Sequence, residues 1–311
     1  MTTRLRLAAQ LKPRTLETFA TVFDHGSVSV AAQVLNVSQP AVTRLVKTLE
    51  ADLGLPLFRR TSRGVAPTPA AVLLRVRVRR ILSEIRRADE DLAALADASL
   101  GVVHVGVLLA AASRLLPRAI ARLQAMRPGV IVSVREGTND QLFPALEAGE
   151  LDLVVGRIPA SFPSGGLVAA ELYREAVLPV TRAGHPLARR RRPAALADAL
   201  AYPWILPPPT TNLRAEVEAG FRAAGMPVPP RTVESVSLLT NRALLLETDM
   251  IGFVPATVVS ADLEARILSA LPFDLGLSVS PVGITSRIDA EPGPAVQLFT
   301  DCLRHVARDI T

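Results

Sequence analysis

One cysteine, Cys302, is all that this 311-residue chain contains. No intrachain disulfide and no cysteine-rich metal site can form, and a reducing cytosolic home is the natural expectation. No uncharged apolar run reaches the ~18 residues that a membrane-spanning helix requires. The opening residues, MTTRLRLAAQLKPR, lack the apolar core and small-residue cleavage site of a secretory signal. Catalytic signatures are missing too: there is no G-x-S-x-G, H-E-x-x-H, P-loop or G-x-G-x-x-G. The four histidines, His25, His104, His185 and His305, fall in four different elements, and each reads best as a core or surface residue. No enzyme, no metal and no cofactor is expected. Lysine is scarce: Lys12 and Lys47 stand among a cationic set that is otherwise arginine, which reflects genome composition rather than function. Internal repeats and low-complexity segments are absent.

What is present starts with an uneven charge. Residues 1–87 carry 15 Lys+Arg against 5 Asp+Glu, a balance of +10, while the remainder carries 20 against 24, or −4. A basic head on a mildly acidic body suits a head that meets a polyanion. Hydrophobic content of 49% supports a real core. The length allows two domains, or a small one and a bilobed one.

The most informative stretch runs from Gly26 to Arg60 and reads as two short helices and a basic segment. In the second helix, Ser38 to Leu53, apolar Val42, Leu45, Val46, Leu49 and Leu53 mark a buried face at helical spacing. Gln39, Thr43, Arg44 and Lys47 fall on another face, offering an amide for a base edge and cations for phosphates. Ser38 is a plausible N-cap, and Pro40 in the first turn costs no helical hydrogen bond. Residues 14–25 read as a preceding helix with Leu16, Phe19, Ala20 and Phe23 as its stripe. Residues 58–67 read as a turn or short hairpin with Gly64 at its tip, and Arg59, Arg60 and Arg63 as phosphate contacts. A solvated polar face is the alternative; the second helix carries no acid on that face until Glu50 and a basic segment follows at once, which favours DNA.

This segment resembles the N-terminal domain of the LysR-type transcriptional regulators. The match is carried by Gly26-Ser27, Ala31-Ala32, Leu35, Val37 to Arg44, Leu49-Glu50, Leu53-Gly54 and Pro56 to Arg60. Val30 stands where many members have arginine, and Ala71 where they usually have glycine. The resemblance implies a winged helix-turn-helix over residues 11–68, with Ser27, Ser38, Gln39, Pro40, Thr43, Arg44, Lys47, Arg59, Arg60 and Arg63 meeting DNA. It also implies that the next segment is a linker helix that dimerises, over 69–98.

That helix has its own signal. Leu74, Val78, Ile81, Ile85, Ala88, Leu92 and Leu95 are spaced 4-3-4-3-4-3, a three-heptad seam. Leu74, Val78, Ile81, Ile85, Leu92 and Leu95 are therefore candidate dimerisation residues; packing on the chain's own core is the alternative. Paired heads would require an imperfect inverted repeat in the DNA.

After Ser99 the texture changes to alternating strands and helices, which predicts a parallel α/β sheet. Strands are expected at 102–107, 131–135, 151–155, 176–180, 204–206, 232–236, 251–254 and 279–285. Helices are expected at 114–126, 139–148, 214–224, 238–247 and 294–309. Val105-Gly106, Leu115-Leu116-Pro117, Gly149 to Leu153, His185-Pro186-Leu187 and Tyr202 to Ile205 are similar to the same family's effector domain. The fold this implies is an all-α winged helix-turn-helix and linker helix, then an α/β two-lobed periplasmic-binding-protein-like domain over 99–311. Lobe I would span about 99–179 and 281–311, and lobe II about 180–280. Leu153 to Arg157 and the Trp204 to Pro209 segment resemble the branch holding regulators of the protocatechuate operon and of a galactose-binding protein.

In such folds a small ligand sits between the lobes, near strand ends and helix N-termini. The candidates are Leu108 and Ala110, where many members place Ser or Thr, with Thr138, Asn139, Arg157, Thr210, Thr211 and Arg214. Loop and cap chemistry is the competing role for each. An arginine in the cleft would favour an aromatic or aliphatic acid, and a sugar remains open. The expected partners are double-stranded DNA, a small-molecule effector, a homodimer or homotetramer partner, and RNA polymerase, with no membrane. The alternative is a solute-binding protein that uses the bilobed domain without specific DNA binding.

Overall fold

A computed structural model describes residues 12–62, 64–96, 101–160, 162, 165–190, 192–273, 275–277 and 279–310. They form two compact units, one built mainly from residues up to Ala93 and one from those beyond.

The first unit comprises α1 (Pro13–His25), α2 (Val28–Val34), α3 (Gln39–Leu53), the hairpin β1 (Phe58–Thr61) and β2 (Gly64–Pro67), and the long α4 (Pro69–Ala96). Prolines open α1 and α3 where a backbone N–H has no helical partner anyway. Gly26 and Gly54 close these helices in the left-handed region, at φ 59° and 66°. Apolar faces converge on two clusters. Leu16, Phe19, Leu49, Leu57, Ala71 and Val78 form one. Val22, Ala31, Ala32, Val42 and Val46 form the other. The hairpin docks on the α1–α2 corner through Val65 N–H donating to Gly26 O at 2.9 Å. Gly64 sits at φ 137°, and a side chain there would strike the Gly26 carbonyl oxygen. Two expectations are corrected: the head is not all-α, because it carries this two-stranded wing, and Gly64 pairs with Thr61 as the first residue of β2 rather than forming the tip.

The heptad seam of α4 divides in two. Leu74 is half-buried and Val78 fully buried against the head's own core. For Val78 the dimerisation reading is thus corrected: it belongs to the head's own core cluster with Leu16, Phe19, Leu49, Leu57 and Ala71. Ile81, Ile85 and Leu92, about one to four turns further along, are exposed. The same stripe therefore serves the head first and is left open beyond it. The side chain of Leu95 lies outside the described residues, as does Arg63.

The second unit holds two five-stranded sheets. Sheet one, in the order β4-β3-β5-β12-β6, uses β3 (Val102–Val107), β4 (Ile131–Glu136), β5 (Leu153–Arg157), β6 (Leu167–Tyr173) and β12 (Val282–Arg287). Sheet two, in the order β11-β7-β10-β8-β9, uses β7 (Val177–Arg182), β8 (Trp204–Leu206), β9 (Thr232–Glu234), β10 (Ile251–Pro255) and β11 (Leu268–Ala270). The expectation of a parallel sheet holds only for β4-β3-β5 and β10-β8-β9. The strand that returns from the second lobe, β12, runs antiparallel to both β5 and β6. Strands β6 and β11 were not foreseen. LVAAELY, the sequence of β6, carries no clean period-2 alternation, because it lies at a sheet edge with a mixed burial pattern. The chain changes sheet between Tyr173 and Val177, earlier than the expected 180, since β7 already pairs with β10 and β11.

Lobe I packs Val103, Val105, Leu115, Leu123 and Phe299 into its core, with α6 (Leu115–Met126) against α12 (Pro294–Arg308). Lobe II gathers around Trp204, which stacks on Phe253 at 5.2 Å and meets Phe221 edge-on. His185 is wholly buried in this lobe. Its Nδ1 accepts from Leu187 N–H at 3.0 Å and its Nε2–H donates to Asp249 O at 3.2 Å, an arrangement for the neutral ring. Burial holds its pKa below the ordinary 6.5. Below that pH the unfolded chain takes up a proton that the native ring resists, so stability declines as pH falls and levels off once the lowered native pKa is passed. The melting temperature is expected to drop between pH 7 and pH 5, and His185→Gln to flatten that drop. A pH slope identical in both proteins would refute this assignment.

Candidate functional site

The exposed side of α3 brings Gln39, Pro40, Thr43, Arg44 and Lys47 together along one groove, and the first wing strand carries exposed Arg59 and Arg60. Ser38 holds the N-cap position, with extended φ and ψ, but its hydroxyl makes no capping bond. The cap chemistry expected of Ser38 is therefore corrected, and the exposed hydroxyl stays available to a partner. Gln39, Pro40, Arg44 and Lys47 are exposed. Thr43 donates its hydroxyl hydrogen to Gln39 O at 3.0 Å, so it offers a partner a methyl group and oxygen lone pairs rather than a donor. Ser27 is engaged locally, its Oγ accepting from Val30 N–H at 3.3 Å to open α2.

Which arginines have partners separates scaffold from surface. Arg75 and Arg79 on α4 both bind Asp24 of α1, at 2.7 and 2.9 Å, and Arg86 binds Glu90 at 2.7 Å. Arg44, Lys47, Arg59 and Arg60 pair with no acid among the described residues. Exposed cations without acidic partners suit phosphate oxygens. Two grooves flank the start of α3. Gln33 and Asn36 line one and Thr48 and Ala51 the other, while Gln39 borders both. Sequence reasoning missed Gln33, Asn36 and Thr48, although Thr48 lies one turn from Arg44.

Glu50 was read only as the first acid on the helix, and its role is local. Its Oε1 accepts from Leu57 N–H at 2.7 Å and Phe58 N–H at 3.1 Å, which ties the end of α3 to the start of the wing. Charge-assisted bonds of this kind are worth about 1.5–3 kcal/mol each. Glu50→Ala is expected to lower the melting temperature and to weaken DNA binding through a misplaced wing, while Glu50→Gln, which keeps an acceptor, should restore most of both. Calorimetry beside a binding titration checks this; equal stability of the alanine and wild-type proteins would remove Glu50 from the account.

Between the lobes lies a cavity of about 70 Å³. Of the expected effector residues, Leu108, Ala110, Thr138, Asn139, Arg157 and Thr211 line it. Thr210 does not, and is exposed. Arg214 is likewise corrected: it points to Glu218 (2.6 Å) and Glu234 (3.0 Å), and its Nη1 also donates to Pro207 O at 3.0 Å. A glutamate one turn along its own helix, α9 (Asn212–Ala223), takes the guanidinium that an anion would have needed. Thr211 caps α9, accepting from Arg214 N–H at 3.3 Å. Thr138 gives its hydroxyl hydrogen to Asp140. Asn212, part of the loop that the sequence offers before α9, also lines the space, as do Glu136 and Val236, which were missed. Glu136 adjoins a named candidate stretch, which is the one signal that could have found it. Gly156, at φ 153°, lets Leu108 lie directly on β5, where a side chain would collide with it.

Residues 13–72 match the family of bacterial regulatory helix-turn-helix proteins of the LysR type, and residues 96–308 match the LysR substrate binding domain. The chain belongs to the LysR family of transcriptional regulators. It is 34% identical over 293 residues to the HTH-type transcriptional regulator GalR of Pseudomonas putida, covering 94% of this chain and 73% of that one. It is also 34% identical over 302 residues to the regulator PcaQ of Agrobacterium fabrum, covering 97% and 96%. Among solved structures it resembles the LysR family regulator CbnR, with a TM-score of 0.70, 26% identity, and 96% and 99% of the two chains covered. A full-length CbnR in complex with its target DNA matches with a TM-score of 0.67, at 26% identity over 95% and 100%. The wing, the exposed face of α3 and the interlobe cavity of this LysR-type regulator therefore lie on a scaffold that also occurs bound to DNA. Among the described residues, no helix is long and apolar enough to cross a membrane.

Proposed function

We infer that this regulator binds a promoter as an oligomer and changes that binding when a small metabolite enters the interlobe cavity. The observation that carries the reading is the set of exposed cations with no acidic partner among the described residues, Arg44 and Lys47 beside Gln39 on α3, with Arg59 and Arg60 on the wing. Gln39 reads a base edge, the cations hold phosphates, and Thr43 presents its methyl to the groove. Ile81, Ile85 and Leu92 continue an apolar stripe past the head, which supports pairing of linker helices and hence an inverted-repeat operator. The ligand acts by binding two assemblies unequally, as thermodynamics requires. A cytoplasmic site of action next to RNA polymerase follows from this role. The solute-binding alternative leaves the helix-turn-helix match over residues 13–72 without a purpose.

A titration against the DNA flanking the protein's own gene, beside scrambled DNA and at two salt concentrations, tests the reading. Tighter binding to the flank at both salts is the expected result. Equal, steeply salt-sensitive binding to both DNAs, at the flank and at every other promoter tried, would reduce the head to a basic surface.

A further inference from the structure

A balanced set of buried charges stands at the cavity wall. Arg157, at the end of β5, is 6% exposed and lines the cavity. Its Nη1 donates to Ser280 O at 2.7 Å, and its Nη2 lies 3.9 Å from Glu175 Oε1. Its Nε and Nη2 have no hydrogen-bond partner among the described residues. Glu175, whose side chain is 5% exposed, sits where the chain passes from the first sheet to the second. Its Oε2 accepts from Thr257 N–H and Oγ1–H, at 3.0 and 2.7 Å. Glu216 accepts through Oε1 from Ser280 N–H and Oγ–H, at 3.1 and 2.7 Å, and its field also reaches Arg157. One guanidinium on the wall is thus already faced by two carboxylates; with Arg114 near Tyr173 the local sum is zero.

A carboxylate ligand would bring a further negative charge into this desolvated cluster, where an uncompensated charge is costly. Glu136, the only other charged residue lining the cavity and itself without a partner among the described residues, would repel it too. The groups on offer are mixed: Arg157 and the unpartnered Asn212 Nδ2 donate, while Glu136 accepts. A hydroxyl both gives and takes a hydrogen bond, whereas a carboxylate only takes one.

We propose that the ligand of this cavity is an uncharged small molecule bearing several hydroxyl groups, and that Glu175 sets this preference over carboxylates by neutralising Arg157. This rests on the interlobe cavity being the effector site. Arg157 Nε and Nη2 and Asn212 Nδ2 are covered in this structure; parting of the lobes by the ligand brings hydroxyl oxygens to them, and hydroxyl hydrogens to Glu136. The specificity is a difference of affinities, with the buried carboxylate as its repulsive element.

The test is calorimetric titration of the full-length protein with matched pairs, each a free sugar and its own aldonate: arabinose and arabinonate, galactose and galactonate, glucose and gluconate. Benzoate and succinate serve as plain carboxylates. At least one sugar is expected to bind at least tenfold more tightly than its aldonate and than either plain carboxylate. Glu175→Gln should shrink that ratio at least fivefold, and Asn212→Ala and Leu108→Trp should each weaken the sugar. A carboxylate that binds the wild type more tightly than every sugar overturns the ligand class, as does failure of every sugar to bind. If that carboxylate is lost in Leu108→Trp, the cavity reading stands alone. Sugar binding that is unchanged in both Leu108→Trp and Asn212→Ala overturns the cavity itself. The wild-type ratio of sugar to aldonate decides the class without any variant having to fold.

Discussion

Removing both wing arginines, Arg59→Ala with Arg60→Ala, is expected to weaken binding to every DNA sequence by about two orders of magnitude near physiological salt. Each charged hydrogen bond contributes about 1.5 kcal/mol or more, and neither guanidinium has a competing acidic partner among the described residues of the head. The plot of log affinity against log salt should flatten by about 2, since each phosphate contact contributes a slope of about 0.9. Gln39→Ala should behave differently. It lies on α3 rather than the wing and, in the proposed role, meets bases rather than phosphates, so it should keep the salt slope and lose about 1–3 kcal/mol of discrimination at one base pair. Titrations of the wild type and both variants on operator and scrambled DNA separate the two roles. Losses of equal size on both DNAs for both variants would abolish the division of labour between wing and helix.

The second large effect concerns α4. Ile81→Asp together with Ile85→Asp is expected to convert the oligomer to monomers and to lose tight operator binding, with the head still folded. Four isoleucines per dimer, at about 1.5 kcal/mol or more each on burial, amount to about 6 kcal/mol, which is on the order of a 10⁴-fold change in dissociation constant. Val78→Ala lies on the same sequence stripe and should do something else. Its side chain sits in the head's core cluster with Leu16 and Phe19, so it should cost about 1–3 kcal/mol of stability with no change of assembly. Sedimentation velocity and thermal unfolding, measured on both variants, tell these apart. An aspartate variant that sediments like the wild type would place the subunit interface elsewhere.

The two variants on α4 also show where reading a sequence stops. The 4-3 spacing from Leu74 to Leu95 states that one side of the helix is apolar, but not what covers it. Periodicity is a property of the helix alone, and only the position of α1 and α3 shows that the first two seam residues are spoken for. The head itself was largely legible because its signals are local. Proline in a first turn, glycine at a helix end and apolar residues three and four apart act within a few residues, and α1, α3 and α4 begin within one residue of expectation. The wing was legible as a turn, although the place of Gly64 in it depends on the Gly26 carbonyl, 38 positions away in the chain.

The second unit divides on the same line. Valine-rich β3 could be seen in the sequence, whereas β6 could not, since its mixed burial enforces no clean pattern. Arg157 was found as a candidate because it ends a strand, and Arg214 because it follows a cap. Sequence position ranks the two alike. The fold separates them, since Glu218 and Glu234 surround Arg214 while Glu175 and Glu216 leave two nitrogens of Arg157 without a partner. By itself, then, the sequence determined the family, the helices of the head, the basic surface and the succession of strands and helices. These rest on short-range propensity and on the kinds of residue present. The antiparallel return of β12, the split of the α4 seam and the charge balance at the cavity were decided only by tertiary structure. Each depends on groups far apart in the chain whose interaction exists only once they are held a few ångströms apart.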